Sequence, residues 1–116
     1  MSVRLSHSSL NTSSTLLECA ELLDTGYMDA LSSYKGASRK WPVKDTVFFK
    51  LQGTSSDSLS GTAAFVREIA LKHGATDLVL AADDKEAEGL WADRKNALHV
   101  ALATFPGSRP WATDVW

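Results

Sequence analysis

"ATDLVLAADDKEAEGLWADRKNALHVALATFPG", Ala75 to Gly107, changes its period partway along, and that change decides the fold. Its first part centres on Leu78, Val79 and Leu80, a short apolar run bounded by polar residues, as in a strand. From Asp83 onward the apolar residues recur at helical spacing. Asp83 and Glu86 stand in a capping-box relation at the start, and Phe105-Pro106-Gly107 stops the run. This is the longest helix that the sequence predicts.

Working outward, "TVFFKLQG", Thr46 to Gly53, is a β-branched and aromatic strand closed by a glycine. "TSSDSLSG" after it is a flexible Ser-rich connection. Leu59, Ala63, Val66, Ile69, Ala70 and His73 then follow at helical spacing up to the stop signal Gly74. Upstream, "TGYMDALSSYKG" predicts a short helix with Thr25 as N-cap, Tyr27, Met28, Leu31 and Tyr34 on one side, and Gly36 as its end. "ASRKWPVKD" is a polar loop broken by Pro42. The run "LLECAELL", Leu16 to Leu23, fits a strand or a helical turn and is read as a strand. Residues 1–14, "MSVRLSHSSLNTSS", are Ser-rich, acid-free and without clear apolar periodicity, so they are expected to be a loose tail; a mitochondrial presequence and a disordered start both suit that composition. "SRPWATDVW" is a candidate for the start of one more strand. The expected class is α+β, with strands and helices alternating and the helices packed on one small sheet.

At 116 residues the chain suits one domain. Its 44% hydrophobic and 22% charged residues are close to globular averages, and the net charge of -2 carries no long basic run. Nucleic acid is therefore not an expected partner. No stretch approaches the roughly 20 apolar residues of a membrane span. A single cysteine, Cys19, excludes an internal disulfide and reads as a small buried thiol. His7, His73 and His99 lack carboxylates at ligand spacing, so no metal site is expected. Trp41, Trp91, Trp111 and Trp116 read as core or edge packing.

Within the long helix one residue breaks the pattern. Ala87, Leu90, Trp91, Ala97, Leu98, Ala101 and Phe105 all fall within about 60° of Arg94, which places an arginine at the centre of the apolar face, with Glu88, Asp93 and Lys95 at its flanks or beyond. A guanidinium cannot shed its proton, so something acidic should face it. Two readings are open. In one the stem lies along the apolar face, and the head reaches solvent or pairs with an acid from a neighbouring strand. In the other Arg94 clamps the carboxylate of a ligand.

The ordered set "ELLD", "YMDAL", "TVFFKLQG", "ATDLVLAAD" and "LWADRKNALHVALATFPGSRPWATDV" resembles the flavin-linked oxidase family that contains the cytochrome-dependent D-lactate dehydrogenases. That family carries an E-x-L-D-like strand, a strand like L-F-F-K-F-x-G, a helix with L-W-x-x-R-x-x-A-L, a Pro-Gly turn and then W-S/A-T-D-V. The likeness runs from about Thr15 to Val115 and implies that residues 15–116 are part of the C-terminal substrate (cap) domain. It implies an FAD-dependent oxidation of a D-2-hydroxy acid, D-lactate above all, to the 2-oxo acid, with cytochrome c as electron acceptor and a mitochondrial location. Arg94 then matches the helix arginine that grips the substrate carboxylate, and Thr113 and Asp114 match the segment near flavin and substrate. The Gly-rich flavin domain expected before this region, and the histidine-bearing half and C-V-P strand expected after it, are missing from the sequence. The resemblance thus implies a piece of such an enzyme; the alternative is a truncated, non-catalytic α/β module acting only through a binding partner.

Overall fold

In the computed structural model, which describes residues 1–9 and 16–111, the elements follow as β1 (Ser2–Ser9), β2 (Leu16–Leu23), α1 (Thr25–Ser33), β3 (Thr46–Gly53), α2 (Ser56–Lys72), β4 (Asp77–Leu80) and α3 (Asp84–Thr104). The strands form one mixed sheet in the order β2-β3-β1-β4. β1 is parallel to both β3 and β4, and β2 is antiparallel to β3 on the edge. The α+β class expected from the sequence is the architecture observed.

Side chains alternate across the strands, so each strand feeds both faces of the sheet. On β3, Phe48 packs with Met28, Leu31, Trp41, Leu90 and Ala97, beneath α1 and α3. Its neighbours Phe49 and Leu51 join Val3, Leu5, Ala63 and Ala70 on the other face, beneath α2. One helix alone covers that second face. Leu17 and Leu22 of β2, and Phe65 and Ile69 of α2, consequently stay exposed.

The N-terminal expectation is overturned. Residues 2–9, read as part of a loose tail, form the central strand, with Val3 opposite Val47 and Leu5 opposite Phe49. Val3 and Leu5 are fully buried. The signal was the short alternation Val3-Arg4-Leu5, which the surrounding serines obscure. Arg4 points to the α1/α3 face, where its Nη2 donates to Asp77 Oδ2 at 2.9 Å and its guanidinium lies 5.7 Å from the Trp41 ring centre. Ion pairing and a cation-π contact together offset its burial.

The helix ends also differ in detail from expectation. The N-cap of α1 is Asp24, whose Oδ1 accepts from the Tyr27 N–H at 2.9 Å. Thr25 instead donates through both its N–H and hydroxyl to Asp45 Oδ1, at 2.8 and 2.7 Å. α2 starts inside the stretch expected to be flexible, because Ser55 Oγ accepts from the Ser58 N–H at 3.1 Å and so caps it. His73, placed on the apolar side by spacing, is its exposed C-cap. The end of α3 matches its sequence signal, with Gly107 at φ +85° just beyond it, a conformation that favours glycine.

Because Leu5 is buried at the centre of the sheet, Leu5→Ala is expected to destabilise the chain by about 2–5 kcal/mol in urea unfolding. An unchanged midpoint would mean that residues 1–9 do not contribute a strand.

Candidate functional site

The carboxylate that organises α3 is Asp93, expected at the solvent flank and found 2% exposed. Both oxygens accept from the Ser38 N–H at 3.0 Å, while Oδ2 also accepts from Ser38 Oγ at 2.7 Å and Trp41 Nε1 at 2.8 Å. A buried anion is tolerable only when so surrounded by donors. The loop that supplies them lies tight on the helix. A Cβ at Gly89 would come within 3.2 Å of Ser38 Cβ, so a glycine stands at this crossing.

This anchor sets the rotation of α3. The buried stripe runs through Leu90, Asp93 and Ala97, centred about 60° round the helix from Arg94. Arg94 is therefore half-buried at the stripe's border, not at its centre. There it meets an acid, as the sequence required: its Nη2 pairs with Oε2 of Glu21 on β2. The side chains of the pair are 29% and 33% exposed, which leaves both within reach of solvent. The Nε of Arg94 is buried and has no acceptor among the described residues.

Further polar groups continue from this pair along the α1/α3 face of the sheet. Lys50 Nζ donates to Glu18 Oε1 at 2.7 Å, and Gln52 Nε2 donates to Glu18 Oε2 at 2.6 Å. Cys19, opposite Lys50 in the register, is only half-buried, not the fully buried thiol expected. Partial burial raises its pKa, and the nearby Glu21 and Glu18 carboxylates add to the rise. The apolar floor beside the strip is Phe48, with Trp41 at 5.4 Å and Trp91 at 6.3 Å between ring centres. Trp111, by contrast, is 87% exposed, contrary to the packing role expected of it. Thr113, Asp114 and Trp116 lie outside the described residues.

Sequence periodicity found Arg94 but missed Glu21, Lys50 and Asp93. The signal for Glu21 was available, since the strand reading of "LLECAELL" puts Glu21 and Leu23 on one face. Nothing in the spacing of Asp93 distinguishes it from a flank residue. Among the described residues no group of His, Cys, Asp and Glu is arranged to hold a metal ion, and no helix is long and apolar enough to cross a membrane.

Asp93→Ala strands the Trp41 and Ser38 donors, and is expected to cost about 3 kcal/mol in chemical unfolding with a red shift of Trp41 fluorescence. A second expectation concerns Glu86 at the start of α3. Its carboxyl is held below the usual range, first by the Ala82 N–H and then by Arg39. A carboxyl depressed in the folded state stabilises above its unfolded pKa, about 4.3, and loses that contribution as pH falls through the folded value. Glu86→Gln should therefore lower the thermal midpoint at pH 7, with the gap to the parent closing below about pH 4. A gap that is constant with pH would contradict the assigned pairing.

Comparison with known proteins matches residues 7–115 to the family "FAD linked oxidases, C-terminal domain". The chain is 33% identical over 105 residues to "D-lactate dehydrogenase [cytochrome], mitochondrial" of Kluyveromyces lactis, covering 85% of this chain and 18% of that protein. It is 31% identical over 113 residues to "D-lactate dehydrogenase [cytochrome] 1, mitochondrial" of Saccharomyces cerevisiae, covering 93% and 19%. The "Probable D-lactate dehydrogenase, mitochondrial" of Danio rerio is 30% identical over 95 residues, covering 82% and 18%. The chain thus spans less than a fifth of the length of these relatives. No solved structure matches it. With an α+β layer in place and the family matched over nearly the whole sequence, this chain belongs to the FAD linked oxidases, C-terminal domain, family.

Proposed function

We propose that this chain is the substrate-side part of an FAD-dependent, mitochondrial D-lactate dehydrogenase, which oxidises a D-2-hydroxy acid to the 2-oxo acid and passes electrons to cytochrome c. The single observation that carries the reading is Arg94. It stands partly exposed, holds one acid through Nη2, and keeps a further donor, Nε, without an acceptor among the described residues. A guanidinium in that state suits a carboxylate, because its planar fork can donate in parallel to both oxygens. Family membership and the names of the relatives support the proposed substrate class and location.

The described residues do not fit a flavin cradle. β3 enters α2 through Gly53–Ser55, a turn with one glycine where a dinucleotide loop needs three. The crevice beside it, about 310 Å³, counts the acidic residue Asp84 in its lining, a charge of the wrong sign for a pyrophosphate. FAD is accordingly assigned to another part of the enzyme, and the share of this chain is to bind and orient the acid. Held by its carboxylate, the substrate presents C2 at a fixed distance from the anchor, which lowers the entropic part of the barrier. Thr113 and Asp114 are proposed to lie near flavin and substrate, on the strength of the W-A-T-D-V segment they occupy.

In the FAD-loaded, full-length enzyme, Arg94→Ala is expected to raise KM for D-lactate strongly and lower kcat, reducing kcat/KM about 100-fold. Arg94→Lys should recover only part of the loss, since a single ammonium cannot reproduce the fork. Steady-state kinetics check both, and near-normal values for Arg94→Ala would remove the assignment.

A further inference from the structure

We infer that Glu21 is an internal ligand of Arg94 that the substrate carboxylate displaces, so that the site rests in a charge-neutral, self-occupied state. The inference rests on the reading of Arg94 as the carboxylate receptor. Three observations carry it. Glu21 sits on β2, the edge strand of the sheet, and a third of its side chain is exposed, so it has open space into which to turn. Its contact with Arg94 is made between Oε2 and Nη2, while the Nε donor has no acceptor among the described residues, so a carboxylate bridging Nε and Nη2 makes a fuller set of bonds. Finally, a second cation stands within reach: Glu21 opposes Phe48 in the register and Lys50 lies two residues further along β3 on the same face, a diagonal that long side chains span. A displaced Glu21 can move toward Lys50, which Glu18 already orients.

Two opposing effects decide what removing Glu21 does. Its loss frees the rotamers of Arg94, which weakens ligand binding. Its loss also removes the carboxylate that competes with the ligand for one guanidinium, and because the ligand must displace that anion before it binds, this effect is the larger. Ion pairs of this exposure contribute little to stability, so the fold tolerates the exchange. Glu21 therefore holds substrate affinity down without touching the reacting atoms.

The test uses the FAD-loaded, full-length enzyme and oxalate, a non-reacting dicarboxylate, as the probe in calorimetric titration. Glu21→Gln is expected to tighten oxalate binding about tenfold and to lower KM for D-lactate in the same sense. Glu21→Ser, which removes the charge with a different shape, should shift affinity in the same direction. A gain in affinity is a readout that structural damage does not produce. In the Arg94→Ala background the Glu21→Gln gain should vanish, because Glu21 acts through Arg94. Unchanged or weakened oxalate binding by Glu21→Gln, with Arg94→Ala impaired, overturns the inference and leaves the Arg94 assignment standing. Oxalate binding by Arg94→Ala equal to the parent overturns both.

Discussion

The buried carboxylate of Asp93 is the constraint on which the α1/α3 side of the molecule depends. Isolated, such a charge would be expelled from the interior or neutralised. It stays because the Ser38 N–H, the Ser38 hydroxyl and the Trp41 indole N–H converge on it. Those donors come from the loop between α1 and β3, so the same bonds fix the loop, the helix and the ring that fills the core. Trp41 in turn is approached by the guanidinium groups of Arg4 and Arg39, at 5.7 and 5.5 Å from its ring centre, and packs against Phe48. One anion thus ties α3 to the strand at the centre of the sheet.

The functional consequence is rotational. With Asp93 pointing inward, the next residue is turned about 100° round the helix, toward β2 and the edge of the sheet. Arg94 owes its half-exposed position, and its meeting with Glu21, to that geometry. Were the stripe centred on Arg94, as periodicity alone places it, the guanidinium would be sealed in the core and unable to receive a ligand. Two charges that are neighbours in sequence therefore have opposite environments. Asp93 is saturated by donors of its own chain, whereas Arg94 keeps donors to spare.

Much of this was legible in the sequence because the signals were local. β3 coincides with its apolar run, and the Asp83–Glu86 relation marks the start of α3, where the Glu86 N–H donates to Asp83 Oδ1 at 2.8 Å. The return bond from Glu86 goes to the Ala82 N–H, one residue earlier than in the standard capping box. What was illegible depends on distant partners. β1 becomes a central strand only because β3 and β4 pair with it on both sides, and its own composition gives little hint of that. Asp93 looks like a surface acid until the Ser38 and Trp41 donors, more than fifty residues away, are brought to it. The anion for Arg94 could be foreseen as a need of chemistry, but its identity as Glu21 required the register of the edge strand.

A crystal structure of the FAD-loaded, full-length enzyme with oxalate bound would show whether Arg94 receives a ligand carboxylate. The expected result is a carboxylate of the ligand on the Arg94 guanidinium, with Glu21 turned away toward Lys50 and the Asp93–Trp41 bond intact. Oxalate bound elsewhere, with the Arg94–Glu21 pair undisturbed, would contradict it and would make that pair a purely structural one.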